Sequence, residues 1–464
     1  MYTLISFTIL LLSYYLFKKV SGSLKLTQLN MISWIFFYNL ILQSFIASVL
    51  VINNIDNHYL INKIQNGETT RLYGWLAVQY TMVMLPLGML LVVNLFGFKT
   101  NQRLFNNYVH SPIKPSLSFK DSYTRYPLYI LYIISILSVL YVMATLKTIP
   151  LSGMLQGLET EALSGLRQEA SREFSGNTYI KNIFALGLTP ILSYIAFAYY
   201  KMTKKRTDFT IFIALFVSSF FILTYNIEKG PFVSYLIGFM FLTILINGSV
   251  KKKTLFIIFG LIVGLIVGMY FALAGSGLSF WHLFHYNGGI VGRIILSQAA
   301  GTYLSFDLFP HVIDHIGFNS ISGFMNTFLG VDTSERSARL LMMHIAPKAV
   351  ELGLVGVVNS LFIAEAWANF GLLGVLVAPF YVGVVIQTLY MFFLTMPKTP
   401  LLLGIFTYFS YRGSVTGGFN DYIYNAGYLV IITFFIWVYF TGLLLKQSKR
   451  GKIEKNDISY TNAN

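Results

Sequence analysis

Long apolar runs alternate with short polar or basic stretches along almost the whole chain. Each run is close to the roughly 20 residues that a helix needs to cross the hydrocarbon core of a bilayer. Eleven runs follow this pattern, at about 2–17, 31–52, 73–96, 127–146, 182–200, 209–227, 231–248, 254–274, 370–393, 400–416 and 427–445. The pattern predicts an all-α fold, a polytopic transmembrane bundle of about 11 crossings that forms a single integral membrane domain over 1–464.

Composition supports this class of protein. Hydrophobic residues make up 55% of the chain and charged residues 11%, with a mean hydropathy of +0.65. A net charge of +15 would suggest nucleic acid as the partner of a soluble protein, but here the basic residues follow alternate apolar runs, as the positive-inside rule requires. We therefore expect no nucleic-acid binding. The absence of cysteine excludes disulfides and thiolate chemistry.

The distribution of basic clusters predicts the orientation of the chain. Lys18 and Lys19 follow the first run instead of preceding it, which indicates a membrane anchor and not a cleaved signal peptide. The same rule places the N-terminus outside and the basic tail, 446–464, in the cytoplasm. Two long polar segments then fall outside, at 147–181 and 275–369. The apolar patch 290–309 lies in the interface, re-enters, or crosses together with 352–366, which would make thirteen crossings.

Arginine and lysine are distributed differently across this topology. Lysine predominates inside, whereas seven of the eleven arginines fall outside: Arg71, Arg167, Arg172, Arg293, Arg336, Arg339 and Arg412. Because the guanidinium fork matches carboxylate and phosphate, this pattern indicates an anionic ligand on the external face. The alternatives are ordinary ion pairs on a solvated helix for Arg167 and Arg172, and snorkelling at the membrane boundary for Arg412.

Two external motifs carry further candidate residues. Arg336 and Arg339 are predicted to start a helix after an N-cap at Asp332 or Thr333, and a helix N-terminus with two arginines one turn apart suits an oxyanion or phosphate. The alternative is an Arg–Glu pair on a surface loop. The turn at 228–231, Glu-Lys-Gly-Pro, is either an ordinary helix start with proline in the first turn or a ligand contact through its charged residues.

The most informative stretch is 352–394, which is nearly all apolar yet too long for one crossing. It predicts a break near Glu365 to Gly371, where a carboxylate, an amide and a glycine interrupt the run. An ionisable residue so deep in an apolar run is a functional-site candidate.

The paired histidines at 282 and 285 and at 311 and 315 have a spacing compatible with metal ligands, but nothing completes a tetrahedral set, and no nucleotide-binding loop is present. We expect no metal and no cofactor.

The stretch Asn359-Ser-Leu-Phe-Ile-Ala-Glu365-Ala-Trp-Ala-Asn369-Phe-Gly371-Leu-Leu-Gly374 resembles the Glu-x-x-x-Asn-Phe-Gly-x-x-Gly segment of bacterial Wzy-type polymerases, which polymerise O-antigen and capsule repeat units. The resemblance implies a GT-C-like glycosyltransferase in the bacterial inner membrane, with undecaprenyl-diphosphate-linked oligosaccharide as its substrate. Membrane lipids and a chain-length regulator protein are the other implied partners.

The related O-antigen ligases carry a His-Asn or His-Ser pair before a similar Gly-x-x-Gly, and here Asn359-Ser360 lacks the histidine. That difference favours a polymerase, although His344 with Gly353 and Gly356 keeps the ligase open. A transporter such as a flippase is the other alternative. The external concentration of charge and the absence of a clear internal repeat favour the enzyme over it.

The resemblance also implies roles for the candidate residues. Glu365 would be the base that takes the acceptor proton, with Glu228 or Asp421 next. The implied diphosphate clamp consists of Arg293, Arg336, Arg339 and Arg412. Further contacts with the substrate would come from Arg167, Arg172, Asn369 and Lys229.

Overall fold

The computed structural model describes residues 1–95, 101–116, 121–158, 160–172, 174–274, 280–287, 289–351 and 356–461. Within these ranges the regular structure is entirely helical. The helices are α1 Tyr2–Val20, α2 Met31–Ile52, α3 Gly67–Leu95, α4 Asn101–His110, α5 Asp121–Thr145, α6 Pro150–Leu155, α7 Thr160–Arg172, α8 Ile180–Thr203, α9 Arg206–Thr224, α10 Lys229–Asn247, α11 Lys252–Ala274, α12 Ile290–Leu308, α13 Gly323–Leu329, α14 Ser337–Ile345, α15 Pro347–Glu351, α16 Ile363–Thr395, α17 Pro400–Arg412 and α18 Ala426–Thr461.

Among the described residues, nine helical spans are long and apolar enough to cross a membrane. They are α1, α2, α3, α5, α8, α9, Gly230–Asn247 in α10, α16, and Phe419–Ser448, which joins a short 3₁₀ turn to α18. These spans coincide with nine of the eleven predicted runs. The chain is therefore a multi-pass membrane protein of helical architecture.

The two remaining runs differ from each other. The run at about 254–274 is helical as α11, but several of its side chains lie outside the described part of the structure. The run at about 400–416 forms only the 13-residue helix α17, which is about 20 Å long at 1.5 Å per residue and falls short of the bilayer core. Arg412 ends this helix, and irregular backbone follows at 413–418.

The chain divides into two compact units. The first consists of Met1–Asn107, Val250–Thr395 and Ser410–Asn425, and the second of Tyr108–Ser249, Met396–Phe409 and Ala426–Asn464. Each unit is thus assembled from three separate stretches of sequence. The candidate residues divide between them: Arg293, Arg336, Arg339, Glu365, Asn369, Arg412 and Asp421 belong to the first unit, and Arg167, Arg172, Glu228 and Lys229 to the second.

In the first unit, α3 and α16 pack with their backbones unusually close. A Cβ on Gly88 would lie 2.1 Å from the carbonyl oxygen of Phe380, and a Cβ on Gly383 would lie 2.1 Å from that of Leu85. Only glycine permits such an approach, which is the way small residues let membrane helices pack together. Helices α3 and α16 are therefore in close backbone contact within this unit.

Helix α12 is buried within the first unit. Its Tyr303 is 0% exposed and packs over Gly74 of α3, and Gly301 lies against the main chain of Asn359. In the described part of 352–366, residues 356–361 contain no helix and α16 begins only at Ile363, so the segment named as the second member of an extra pair of crossings is not one continuous helix there. Residues 352–355 lie outside the described part.

The predicted break in the long apolar run is confirmed at Gly371. This residue has φ 57° and ψ −139°, a conformation that side-chain-bearing residues avoid, and it divides α16 into 363–370 and 372–395. A Cβ on Gly371 would also lie 2.9 Å from Nε2 of His315. The break creates a short half-helix, 363–370, that begins two residues before Glu365.

In the second unit, two largely buried cations, Arg125 and Lys398, have polar partners. Arg125 donates to Asp121 at 2.6 Å and to Asp208 at 2.8 Å, and its guanidinium lies 4.3 Å from the Tyr199 ring centroid. Lys398 is 3% exposed, and its ammonium group donates to three main-chain carbonyls, those of residues 109, 111 and 246. Such partners offset the cost of burying charge.

Candidate functional site

Three charged side chains meet at the start of α16 in the first unit. The Arg336 guanidinium forms a two-pronged contact with Glu365, from Nε to Oε1 at 2.8 Å and from Nη2 to Oε2 at 2.8 Å. Its Nη1 donates to Oδ1 of Asp421 at 3.0 Å. We refer to Arg336, Glu365 and Asp421 as the Arg336 cluster. They are 29 and 56 residues apart in sequence, so tertiary packing alone brings them together.

Arg336 reaches this position from the residue before α14. Its backbone is extended, with φ −67° and ψ 148°, and its carbonyl accepts from the main-chain N–H groups of Arg339 and Leu340. The predicted N-cap at Asp332 or Thr333 is therefore wrong, because the helix starts later and Arg336 itself occupies the cap position. This places the Arg336 side chain ahead of the helix, where it extends to Glu365.

Glu365 lies in the first turn of α16, where the helix dipole favours a carboxylate. Its Oε2 also accepts from the main-chain N–H of Asn420 at 2.8 Å. Gly418 packs directly against the ion pair: a Cβ there would lie 1.8 Å from Nη2 of Arg336 and 2.3 Å from Oε2 of Glu365. Only glycine can bring the main chain of 418–421 this close.

A buried amide network stands behind the cluster. Asn369, one helical turn after Glu365 on the same face, donates from Nδ2 to Oδ1 of Asn420 at 2.9 Å. Ser320 donates to Oδ1 of Asn369 at 3.2 Å, and Asn420 donates back to the carbonyl of Ser320 at 2.9 Å. All three residues are less than 5% exposed. Asn369 therefore orders the segment that carries Asp421.

The end of the half-helix 363–370 is capped by the loop that precedes α13. The N–H of Ile316 donates to the carbonyl of Ala368 at 3.0 Å, and the N–H of Gly317 donates to that of Asn369 at 2.9 Å. A helix end leaves carbonyls without helical partners, and these bonds supply partners at the break. The half-helix is thus held at both ends by the first unit.

The cluster carries two carboxylates and one guanidinium, a formal charge of −1. Its hydrogen bonds with Glu365 raise the pKa of Arg336 above the ordinary arginine value, so the guanidinium stays charged. The side chains of Arg336 and Asp421 are 40% and 35% exposed, whereas that of Glu365 is 3% exposed. Three of the five arginine N–H groups donate within the cluster. The exposed side therefore presents a cation that can bind an oxyanion and a carboxylate that can accept a proton.

The other arginines predicted in the first unit are located elsewhere on it. Arg339 donates to the main-chain carbonyl of Gly356 at 2.8 Å. Arg293 is exposed near the start of α12. It lies about 12 Å along the helix axis from Gly301, the residue of α12 that packs against Asn359. Arg412 is exposed at the end of α17. Of the predicted residues in this unit, the structure joins Arg336, Glu365 and Asp421, with Asn369 behind them.

In the second unit, Arg167 and Glu228 are connected through Asn226. Arg167 donates from Nε to the Asn226 carbonyl at 3.1 Å, and Asn226 donates from Nδ2 to Oε1 of Glu228 at 2.9 Å. The side chains of Arg172 and Lys229 lie outside the described part of the structure. Sequence reasoning missed Lys181, which is 8% exposed with its ammonium group 4.6 Å from the Phe174 ring centroid.

Gly418, Asn420 and Ser320 were likewise missed in the first unit. Each is an ordinary loop residue in sequence, and the Gly417-Gly418 doublet was the one local signal of a close backbone approach. The histidines do not form a metal site with the carboxylates. Within the described ranges, no three His, Asp or Glu side chains lie close enough together to bind one metal ion. His315 instead packs edge-on against Trp367, 5.4 Å between ring centroids, beside the break.

No family model, curated protein or solved structure matches this chain.

Proposed function

We propose that this protein is a glycosyltransferase of the bacterial inner membrane that polymerises undecaprenyl-diphosphate-linked repeat units into surface polysaccharide. The observation that carries the proposal is the Arg336 cluster: a guanidinium fixed by a buried carboxylate, beside an accessible carboxylate, at the start of a broken membrane helix. The resemblance of 359–374 to the Wzy-type polymerases supplies the substrate class. The proposal includes a GT-C-like fold with the N-terminus outside and the C-terminus inside.

The proposed reaction uses the two exposed members of the cluster. A sugar hydroxyl of the acceptor attacks the anomeric carbon of the donor, and the bond between that carbon and the diphosphate oxygen breaks. The hydroxyl proton passes to the carboxylate of Asp421, and the polyprenyl diphosphate leaves with the bonding electrons. Arg336 neutralises the charge that develops on this leaving group.

This assignment moves the role of base from Glu365 to Asp421. Both oxygens of Glu365 accept hydrogen bonds from Arg336, and Oε2 also accepts from the main-chain N–H of Asn420. A base must also reach the proton it removes, and Asp421 is far more exposed. Glu365 then acts as a positioning residue that holds Arg336 in one orientation.

The remaining candidates keep proposed roles around this centre. Arg293, Arg339 and Arg412 are proposed to attract the diphosphate, and Arg167, Arg172, Glu228 and Lys229 to contact the sugars. A chain-length regulator protein is the proposed partner, with membrane lipids around the bundle.

The test is a set of surface-glycan ladders from a deletion strain complemented with the intact gene, Asp421→Asn, Glu365→Gln or Arg336→Lys. We expect deletion to leave core lipid with a single repeat unit, and Asp421→Asn to reproduce that pattern at unchanged protein level. Glu335→Gln, an exposed carboxylate next to Arg336, is the control and should extend chains normally.

Other outcomes would replace the proposal. Long polymer that accumulates on the lipid carrier after deletion would identify a ligase, and unaltered glycan would favour the transporter. If Asp421→Asn kept normal ladders while Glu365→Gln lost them, the base would be Glu365.

A further inference from the structure

An uncharged loop between α12 and α14 exposes large aromatic side chains. Residues 316–331 contain no acidic, basic or histidine residue, although Asp314 and Asp332 flank them. Within this stretch, α13 leaves Phe324 73% and Phe328 81% exposed. A patch of exposed rings of this size is unfavourable in water and marks an interaction surface.

Hydrogen bonds on the opposite side of α13 fix the outward direction of these rings. Phe324 and Phe328 are one helical turn apart and share a face, whereas Asn326 between them is 3% exposed. Asn326 donates from Nδ2 to the carbonyl of Asn319, and its own carbonyl accepts from the N–H of Val331 at 2.9 Å. These bonds tie the polar side of α13 to its own loop, which leaves the phenylalanine face pointing away.

The aromatic surface continues into a surface of a membrane-spanning helix. Phe318, 65% exposed, packs edge-on against Phe370 with 4.9 Å between ring centroids. Just beyond the break that follows Phe370, Leu372 and Leu373 are 65% and 67% exposed. They belong to α16, whose exposed apolar side chains face lipid because the helix is long and apolar enough to span the bilayer.

We propose that residues 318–331 form a membrane-interface segment whose partner is the lipid bilayer itself. Aromatic side chains concentrate at the membrane–water interface, and short amphipathic helices lie there with the apolar face down. A charge-free stretch bounded by acidic residues, with phenylalanines outward and an asparagine inward, has this composition. Its continuity with the exposed face of α16 places it at the edge of the hydrocarbon.

The segment also sets the depth of the Arg336 cluster. The carbonyl of Asn319 accepts from both Asn326 and the N–H of Ser334, the latter at 2.9 Å. This closes the loop two residues before Arg336, and Ser320 on its other side bonds to Asn420. Arg336 therefore lies at headgroup depth. At this depth, a substrate's anionic headgroup meets Arg336 while its lipid tail stays in the bilayer. This consequence rests on the proposed function.

Site-directed spin labelling tests the placement, because the chain has no cysteine and single-cysteine variants carry no background. Full-length Phe324→Cys and Phe328→Cys proteins are labelled in lipid nanodiscs, and collisions with oxygen and with a water-soluble nickel chelate are compared. Leu373→Cys is the lipid-facing reference, and Glu335→Cys, on an exposed charged residue, is the aqueous reference. We expect oxygen collisions to dominate at 324, 328 and 373, and nickel collisions to dominate at 335.

Two results would overturn the proposal. Nickel accessibility at 324 and 328 equal to that at 335 would place the segment in water. Dipolar broadening at 324 and 328 that disappears when labelled protein is diluted with unlabelled protein would assign the face to a second copy of the chain. If labelling at Phe324 prevents folding, Met325→Cys, 36% exposed, replaces it. None of these readings depends on polymer formation, so failure of the proposed function would leave them unchanged.

Discussion

Gly418→Ala is the sharpest perturbation of the Arg336 cluster, because it adds one carbon and removes no polar group. The new Cβ would lie 1.8 Å from Nη2 of Arg336 and 2.3 Å from Oε2 of Glu365. Ordinary contact needs about 3.5 Å, so the guanidinium has to move by roughly 1.5 Å. A shift of that size takes the 2.8 Å bond between Nη2 and Oε2 out of hydrogen-bonding range.

The expected loss of stability is about 2 kcal/mol. A hydrogen bond to a charged group contributes about 1.5–3 kcal/mol, and a buried carboxylate that loses its partner carries a further desolvation cost. The 40% exposure of Arg336 reduces both terms, because water screens the charge. In the proposed function the same displacement also moves the cation away from the leaving group, so chain extension should fall with stability.

The neighbouring glycine supplies a matched control. A Cβ on Gly417 would lie 3.5 Å from Oδ2 of Asp421, which is ordinary contact, so Gly417→Ala should unfold like the unmodified protein. Both variants are compared by thermal and denaturant unfolding in detergent and by glycan ladders. A double variant with Arg336→Ala isolates the share due to the guanidinium: it removes the contact with Nη2 and keeps the one with Oε2 of Glu365, so the alanine should cost less there but still more than at Gly417. The reasoning is refuted if Gly418→Ala and Gly417→Ala unfold within about 0.5 kcal/mol of each other, a difference typical of neutral substitutions.

Two further predictions concern the break and the buried lysine. Gly371→Ala should lower the free energy of unfolding by about 1–3 kcal/mol, because alanine is strained at φ 57° and its Cβ contacts His315. Leu373→Ala, on the exposed face beyond the break, is the control in the same unfolding assay. Burial lowers the pKa of Lys398 to about 8, below its ordinary value of 10.5, so between these two values the unfolded chain holds the proton that the folded one releases. The free energy of unfolding should therefore rise with pH across that window, by up to about 3 kcal/mol. Lys398→Met should flatten this rise, and an equal slope in both proteins would show that Lys398 is not its source.

Features encoded by short stretches of sequence were predictable. Nine of the predicted apolar runs correspond to spans in the part of the chain that the structure describes, because a bilayer requires about 20 apolar residues whatever the tertiary fold. The need for a break followed from length, since one helix cannot use forty apolar residues to cross once, and its place followed from the carboxylate, amide and glycine between Glu365 and Gly371. The run predicted at 400–416 is helical only as far as Arg412, and irregular backbone follows it.

The partners within the cluster were not predictable in this way. Arg336 and Arg339 were expected to act together because one turn separates them on a helix, but α14 begins at Ser337, so only Arg339 is inside it. The two guanidinium groups consequently have different partners, Glu365 for one and the Gly356 carbonyl for the other. The helix starts three or four residues later than the predicted N-cap at Thr333 or Asp332 implied, and helix boundaries are the least determined feature of a sequence pattern.

The geometry of the cluster also bears on why such a charge is buried at all. A buried ion pair contributes little net stability compared with apolar residues of the same volume, so stability is a weak explanation for a carboxylate that is 3% exposed at the start of a membrane helix. Orientation is a stronger one. Two bonds to Glu365 fix the plane of the Arg336 guanidinium, and Gly418 and Asn420 close the side behind it. Asp421, which also bonds to Arg336, is 35% exposed, so the accessible part of the cluster contains both the cation and a carboxylate.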